Sequence, residues 1–479
     1  MSRADYDLLI IGGGSGGITA GRIAGMLGFR VAIIEAKRLG GECTWTGCVP
    51  SKGLIAAANA YHSARHTERF GLPHFEATGA VDLGSVLKRV HELQHHIYDA
   101  DDSPEALARS GCKVIEGRAR FVSERTVEVA GQRLSARRFL LATGGDPLVP
   151  PIDRLAEARP LTIENLFELS ALPQRLAVLG GGPTGVEMGQ AFQRLGSQVT
   201  IFERSQLLDA HDPELVAVVE EQLRAEGTDI RLSAEVTCVV RQGASVEVTS
   251  EDGVNEFDEI LVATGNRPRT EGLGLDRAGV ELTEPGFVQV GPTMQTSNPA
   301  IYACGDVIGP PRSTNAAGSE AAIAVRNALF PWRSDLDHQR TITAVFTDPE
   351  LGRLGMTEDE ARERHRSVRV YRYPFASNDR ARIEGQTAGM VKLVCAGVRD
   401  RVVGAHVVGM HAGDLMNEIA VGLAGGASTS DLASIAHGYP TAGEAIREAA
   451  QGSLERWLRN PAARGALRGY IWASRRLEH

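Results

Sequence analysis

A duplicated unit of strand, glycine turn, helix and strand, a strand ending in Ala-Thr-Gly after each copy, and a change of texture near residue 340 predict an α/β chain. Two doubly wound halves are expected, followed by an α+β domain. The chain has 479 residues, room for about three domains. Its 54 glycines are about 11% of all residues, against a usual value near 7%.

The first copy begins with the apolar strand Asp7-Leu-Leu-Ile-Ile, passes through Gly12-Gly13-Gly14-Ser15-Gly16-Gly17 and a helical stretch, and ends with a second strand at Glu35. In the second copy, Leu176-Ala-Val-Leu precedes Gly180-Gly181-Gly182-Pro183-Thr184-Gly185, a helix through Arg194, and a strand ending at Glu203. Both acids stand 23 positions after the first glycine. In each set, Gly12, Gly14 and Gly17 or Gly180, Gly182 and Gly185, the first glycine permits a tight turn and the second lets backbone approach a pyrophosphate. The third allows close helix packing, the helix N-terminus offers free N–H groups to phosphate, and Glu35 or Glu203 accepts from a ribose hydroxyl. Two Rossmann-like dinucleotide-binding folds are therefore expected.

After each copy a strand ends in Ala-Thr-Gly, at Ala142-Thr143-Gly144 and at Ala263-Thr264-Gly265, so Thr143, Gly144 and Gly265 join the candidate cofactor-binding positions. Pro147-Leu-Val-Pro-Pro reads as a stiff connector. A later strand ends in Ala303-Cys304-Gly305-Asp306, an acid on a glycine turn. Beyond Arg340, alternating segments at Thr341–Phe346, Gly389–Cys395 and Val402–Val408 supply strands of the third domain, with helices after them.

The charge sum is −9 with a pI near 5.9, so no global field gathers nucleic acid or anionic lipid, although the sum leaves room for a local patch. No signal-peptide pattern opens the chain. The most apolar later stretch, Val402–Gly426, carries His406, His411, Asp414 and Glu418, and no window reaches the roughly 18 uninterrupted apolar residues of a membrane span. The expectation is a cytoplasmic protein without membrane or nucleic-acid partners. Leu477-Glu478-His479 looks like the remnant of an expression tag.

Of six cysteines, Cys112, Cys238, Cys304 and Cys395 are far apart. The other two lie in Gly40-Gly41-Glu42-Cys43-Thr44-Trp45-Thr46-Gly47-Cys48-Val49-Pro50-Ser51-Lys52, ahead of an Ala-rich helical run. Regular helical spacing rotates residues five apart by about 140°, so a Cys43–Cys48 bridge needs an irregular turn, which Gly47 and Pro50 suit. A helix N-terminus and Lys52 both favour a thiolate at Cys48. A structural zinc site needs four ligands and no second cysteine pair exists, so no metal is expected. Trp45 either faces a substrate channel or packs against the first fold.

With these motifs in this order, the sequence resembles the FAD-dependent pyridine nucleotide-disulfide oxidoreductases, the family of dihydrolipoamide dehydrogenase, glutathione reductase and mercuric reductase. The resemblance implies an FAD-binding domain at 1–148, an NAD(P)-binding domain at 149–270, completion of the FAD domain at 271–336, and a dimerisation domain at 337–476. It also implies a homodimer, with Phe375–Arg382 at its interface. Cys48 would face the flavin, Cys43 would exchange with substrate, Lys52 would pair with Glu187 beside the flavin, and Gly305-Asp306 would hold its ribityl region. Glu203 would repel a 2′-phosphate, favouring NAD over NADP, while the adjacent Arg204 weakens that preference.

His437-Gly438-Tyr439-Pro440-Thr441-Ala442-Gly443-Glu444 resembles the family's active-site loop, which enters the partner subunit's site. In the dihydrolipoamide and glutathione enzymes the residue before Pro-Thr is histidine; here it is Tyr439, with His437 two residues earlier. A histidine titrates near 6.5 and accepts a thiol proton at neutral pH, whereas a tyrosine near 10 is a poor base. Either His437 serves as the base with Glu444 orienting it, or Tyr439 takes the position and substrate choice changes, or the segment is a purely structural dimer loop. The leading expectation is electron transfer between NAD(H) and a dithiol or disulfide, small or carried on a lipoyl protein. A metal-ion reductase of the mercuric type is the alternative, and a flavin-bearing binding or regulatory protein is the non-enzymatic one.

Overall fold

The computed structural model describes residues 4–74, 79–398 and 400–477; Glu478 and His479 of the tag-like segment lie outside them. The chain divides into two compact units, one comprising residues 1–207 and 226–341, the other 208–225 and 342–479.

In the first unit, β1 (Tyr6–Ile11) leads through α1 (Ser15–Met26) to β2 (Val31–Glu35). Short α2 (Gly41–Trp45) and long α3 (Cys48–Arg65) follow, then β3 (Cys112–Glu116), β4 (Arg120–Ser123), β5 (Thr126–Val129) and β6 (Gln132–Leu141). The sheet runs β3-β2-β1-β6-β5-β4, and the strand Ile301–Ala303 also pairs with β6. Strands β1, β2, β3, the second half of β6 and Ile301–Ala303 are parallel. Parallel strands need cover on both faces, which explains the unbroken apolar runs Leu8–Ile11 and Val31–Ile34, all buried.

The second fingerprint builds a four-stranded parallel sheet in the order Asp229–Leu232, Gln198–Glu203, Arg175–Leu179 and Glu259–Val262. A three-stranded antiparallel meander from Val236 to Phe257 packs into the same core through Val239, Val246 and Val248. The helix Pro183–Leu195 is tied to α3 at two points: Lys52 Nζ donates to Glu187 Oε2 at 2.8 Å, and Arg194 donates to Asn59 Oδ1 at 2.6 Å. Arg194 is itself buried and forks onto Glu226 at 2.8 and 2.5 Å, the bidentate geometry that repays burial of a guanidinium.

The second unit is a five-stranded antiparallel sheet, ordered Thr343–Val345, Glu350–Gly355, Arg401–Gly409, Met390–Ala396 and Val368–Pro374. The helices Ala412–Ala424 and Glu444–Arg459 contribute Met416, Ile419, Ile446 and Ala449 to its core. Phe375, at the head of the segment expected at a dimer interface, is fully buried in this core. Residues 208–225, which follow the second fingerprint in sequence, join this unit for an electrostatic reason. The ammonium of Lys392, 2% exposed, lies 2.8 Å from Asp212, 2.8 Å from Glu214 and 3.0 Å from Glu358. Asp212 is equally buried, so each charge depends on the other. Lys392→Ala would strand Asp212 without its counter-charge and is expected to lower stability by about 3–5 kcal/mol, measured as a shift in the urea midpoint; a loss below about 1 kcal/mol would show that water screens the cluster.

Candidate active site

The C-terminal ends of the parallel strands in the first sheet open onto one cavity of about 510 Å³, the position at which doubly wound sheets take ligands. Four of the five deliver predicted residues to it: β1 leads to Gly12 and Gly14, β2 ends at Glu35, β6 leads to Thr143 and Gly144, and Ile301–Ala303 leads to Gly305 and Asp306; β3 leads to Gly117 and Arg118, which the sequence had not marked.

The two fingerprints have matching geometry. Gly12 and Gly180 both have φ of +105°, in the region that favours glycine. A Cβ on Gly17 would lie 1.9 Å from the Gly12 carbonyl oxygen, and one on Gly185 would lie 1.9 Å from that of Gly180. Gly182 meets nothing within 4 Å and Gly14 only the Gly41 Cα at 4.0 Å, so space is open where a phosphate would approach the backbone. Glu35 accepts from the Gly13 and Lys37 N–H groups at 2.6 and 2.7 Å, and Glu203 accepts from those of Gly181 and Ser205 at 2.7 and 2.9 Å. Each carboxylate is thereby fixed at its strand end with acceptor capacity left for ribose hydroxyls.

Cys43 and Cys48 line the same cavity. The chain between them is not one helix with an irregular turn but two helices with a break. Helix α2 closes where Glu42 C=O accepts from both Thr46 and Gly47 N–H, and α3 starts at Cys48 with Gly47 as its N-cap. Pro50 falls in the first turn of α3, where it costs no hydrogen bond. The break brings the two thiols into electrostatic contact, each shifting the other's ionisation. That contact from Cys48, helped by Thr314 and Ser15 and opposed by burial, pulls the Cys43 thiol down to about 6. The same contact raises Cys48, while Thr314 and Lys52 act in the opposite sense. The two sulfurs therefore titrate as a unit, and loss of the first proton leaves one negative charge on the pair. The sequence expectation of a thiolate at Cys48 rests on the helix terminus and Lys52, and Lys52 does act on Cys48 in that sense.

Trp45 packs on most of its ring and borders the cavity with the rest. It is 8% exposed, donates from Nε1 to Leu39 C=O at 2.6 Å, meets His95 and Tyr98 edge-on or tilted, and carries the Arg38 guanidinium over its ring. Several cavity residues had not been singled out in the sequence. Thr314 Oγ1 lies 3.1 Å from Cys48 Sγ across 266 residues. Glu42 is pushed up to about 7 by burial and by Asp306, and Asp306 is itself raised by burial while accepting from Asn266 at 3.3 Å. The Ser313 N-cap marks the start of the helix bearing Thr314, but no local pattern links that helix to the cysteine loop.

A model of the pyridine nucleotide-disulphide oxidoreductases matches residues 6–321, and a model of their dimerisation domain matches residues 341–450. The chain belongs to this family. It is 36% identical to a dihydrolipoyl dehydrogenase of Thermus scotoductus, covering 93% of this chain and 97% of that one, and 34% identical to a mercuric reductase of Staphylococcus aureus, covering 93% and 82%. Among solved structures, LpdA of Mycobacterium tuberculosis superposes with a TM-score of 0.85 at 28% identity, covering 93% of this chain and 99% of that one. The HOCl-induced flavoprotein disulfide reductase RclA of Escherichia coli gives 0.81 at 28% identity, with 92% and 99% covered.

As a member of this family the chain is an oxidoreductase that depends on FAD and uses NAD(P). The residues present fit FAD: the open approach at Gly14, the N-terminus of α1, the fixed carboxylate of Glu35 and the Gly305-Asp306 turn all border one cavity. No helix of the described residues is long and apolar enough to cross a membrane, and they contain no cluster of three or more metal-ligating side chains.

In the loop of the second unit the acid beside His437 is not the one expected. His437 Nε2 pairs with Glu418 Oε1 at 2.7 Å and Nδ1 lies 3.2 Å from Ile435 C=O. Glu444, expected to orient this histidine, instead accepts from Thr441 N–H at 3.3 Å and approaches Arg447. Glu418 stands on the helix Ala412–Ala424, with the short helix Thr429–Ser434 between it and the loop, and shows no spacing signal toward the loop. Tyr439 is 72% exposed, and its hydroxyl donates to Asp379 at 3.0 Å, which raises it above its ordinary value.

A low-pKa thiol reacts as its thiolate, so in NADH-reduced enzyme the alkylation rate of Cys43 by iodoacetamide should rise with pH through a midpoint near 6. Cys48→Ala removes the hydrogen-bond donor and should move that midpoint up toward the ordinary thiol value of about 8.5. A midpoint near 8.5 in both proteins would contradict the coupling.

Proposed function

We propose that the protein is an NAD(H)-linked dithiol–disulfide oxidoreductase of the dihydrolipoamide dehydrogenase type, working as a homodimer and suited to reducing a disulfide. The observation that carries this reading is the Cys43–Cys48 pair lining the cavity built by the first fingerprint, with Thr314 Oγ1 3.1 Å from Cys48 Sγ. FAD, when bound, supplies two-electron transfer between NAD(H) and this sulfur pair.

The remaining chemistry belongs to the chain. In its reduced form, Cys43 is ionised at neutral pH and attacks one sulfur of a substrate disulfide without a separate base. A Cys43–substrate disulfide forms and one substrate thiolate leaves, taking a proton. The Cys48 thiol loses its proton and attacks Cys43 Sγ, which closes the Cys43–Cys48 disulfide and releases the second substrate thiolate. Two electrons leave the dithiol and two substrate thiols are formed. Thr314, 3.1 Å from Cys48 Sγ, can hydrogen-bond the sulfur as it ionises. The Lys52–Glu187 pair keeps a cation one helical turn from Cys48 without leaving a buried acid unpaired.

Direction and substrate follow from the loop. Oxidation of a dithiol needs a group to take the incoming thiol's proton, and the loop offers solvent Tyr439, while both nitrogens of His437 are engaged. This arrangement favours disulfide reduction over dithiol oxidation, with the loop serving the other subunit of the homodimer. Glu203, held at the end of the second fingerprint, favours NADH as donor. A second reading, reduction of a thiolate-bound soft metal ion, is supported by exposed Tyr439 and by 34% identity to a mercuric reductase.

Anaerobic stopped-flow reduction by NADH or NADPH, followed by lipoamide, glutathione disulfide and Hg(II) in parallel, separates the readings. Turnover of a disulfide with NADH supports the first; rapid Hg(II)-dependent NADPH oxidation without disulfide turnover overturns it. Tyr439→Phe should lower disulfide turnover about tenfold and His437→Ala by less than about threefold. A loss of about a hundredfold confined to His437→Ala would restore the histidine as base.

A further inference from the structure

The family's dimerisation model ends at residue 450, but the chain continues in helical form well beyond it. The helix Glu444–Arg459 is followed by Asn460, whose side chain accepts from Ala462 N–H at 2.9 Å, and by the helix Pro461–Leu477. From Arg456 to Arg476 the sequence holds six arginines and no aspartate or glutamate, within a chain whose net charge is −9.

Helical spacing organises this segment. Arg464, Arg468 and Arg475 stand at i, i+4 and i+11, which stacks them along one side, and all three are exposed. Leu467 and Ile471 occupy the adjoining side, with Tyr470 beyond them. Tyr470 is 72% and Trp472 59% exposed, and Ile471 is exposed with them. On the preceding helix Leu454, Trp457 and Leu458, at i, i+3 and i+4, share a face and are exposed as well. A monomeric soluble surface seldom concentrates large apolar side chains in this way. Arginines flanking exposed aromatic and aliphatic groups are the pattern of a helix lying in the plane of a bilayer interface.

We propose that the helix Pro461–Leu477, together with the apolar end of the helix before it, is a docking surface for an anionic lipid bilayer. The arginines match the headgroup charge, Tyr470 and Trp472 suit the interfacial layer, and Ile471, Leu454 and Leu458 have acyl chain to enter. A second copy of this chain fits less well, because a two-fold contact through the helix Pro461–Leu477 would set Arg464, Arg468 and Arg475 near their own copies, and that helix carries no acid to offset them. Nucleic acid would satisfy the arginines and leave the aliphatic side chains in water. The bilayer contact is of the surface kind, since no described helix can span. It is independent of which disulfide or metal the active site reduces.

The test uses the flavin-loaded full-length protein and sedimentation with vesicles of phosphatidylcholine alone or of phosphatidylcholine mixed with phosphatidylserine. Binding should require phosphatidylserine, fall with added salt, and weaken by about fivefold per arginine, or about a hundredfold in the Arg464→Gln/Arg468→Gln/Arg475→Gln variant. Flavin absorbance and NADH-driven dye reduction should be unchanged in that variant, which separates lost docking from lost folding. Tryptophan emission should shift to the blue on phosphatidylserine vesicles, and less so in Trp472→Phe. Equal binding to both vesicle types, absence of binding to either, arginine-dependent self-association in place of lipid binding, or preferential binding of duplex DNA would each overturn the proposal.

Discussion

Two sulfurs five residues apart in sequence cannot face each other from one straight helix, and the redox chemistry of this chain needs them adjacent. The solution is a break at Thr46 and Gly47, with the Glu42 carbonyl accepting from both N–H groups and a new helix starting at Cys48. The same break sets the electrostatics. Two coupled thiols at a helix entrance pull the first ionisation down, Cys43 to about 6, in a cavity that otherwise collects acids: Glu42, Glu35, Glu164 and Asp306.

Much of the first unit serves to hold that break against the cavity. Parallel strands with apolar residues on both faces converge there, and Trp45, buried beside Tyr98 and His95, fixes the far end of α2. Contacts from Lys52 and Asn59 tie α3 to the helix of the second fingerprint, so the two dinucleotide folds meet on the element that carries Cys48. A helix that bears the reactive sulfur and also joins the two folds leaves little freedom for the dithiol to drift from the nucleotide edge.

The features legible in the sequence were those with a local period or a fixed offset. Both glycine turns, the acids Glu35 and Glu203, the cysteine loop and the strands of an α+β third domain follow from strand and helix patterning within about thirty residues. Lys52–Glu187 was reachable only through family resemblance, because nothing in either segment points to the other. Thr314, Glu418 and Asp212 were not legible for the same reason: each meets its partner across a long sequence separation, and a Thr near an N-cap or an acid on a helix face has many ordinary roles. The loop shows the limit most clearly. The pattern identified His437, Tyr439 and Glu444 together, but the acid that pairs with the histidine comes from the helix Ala412–Ala424.

The claim beneath the whole account is that the Cys43–Cys48 pair stores an electron pair next to the bound flavin. Anaerobic titration of the oxidised flavoprotein with dithionite measures this directly. Wild-type protein should take up one electron pair more per subunit than its flavin alone accepts, and Cys43→Ser and Cys48→Ser variants should each stop at the flavin's own pair. Equal uptake by all three proteins would contradict it.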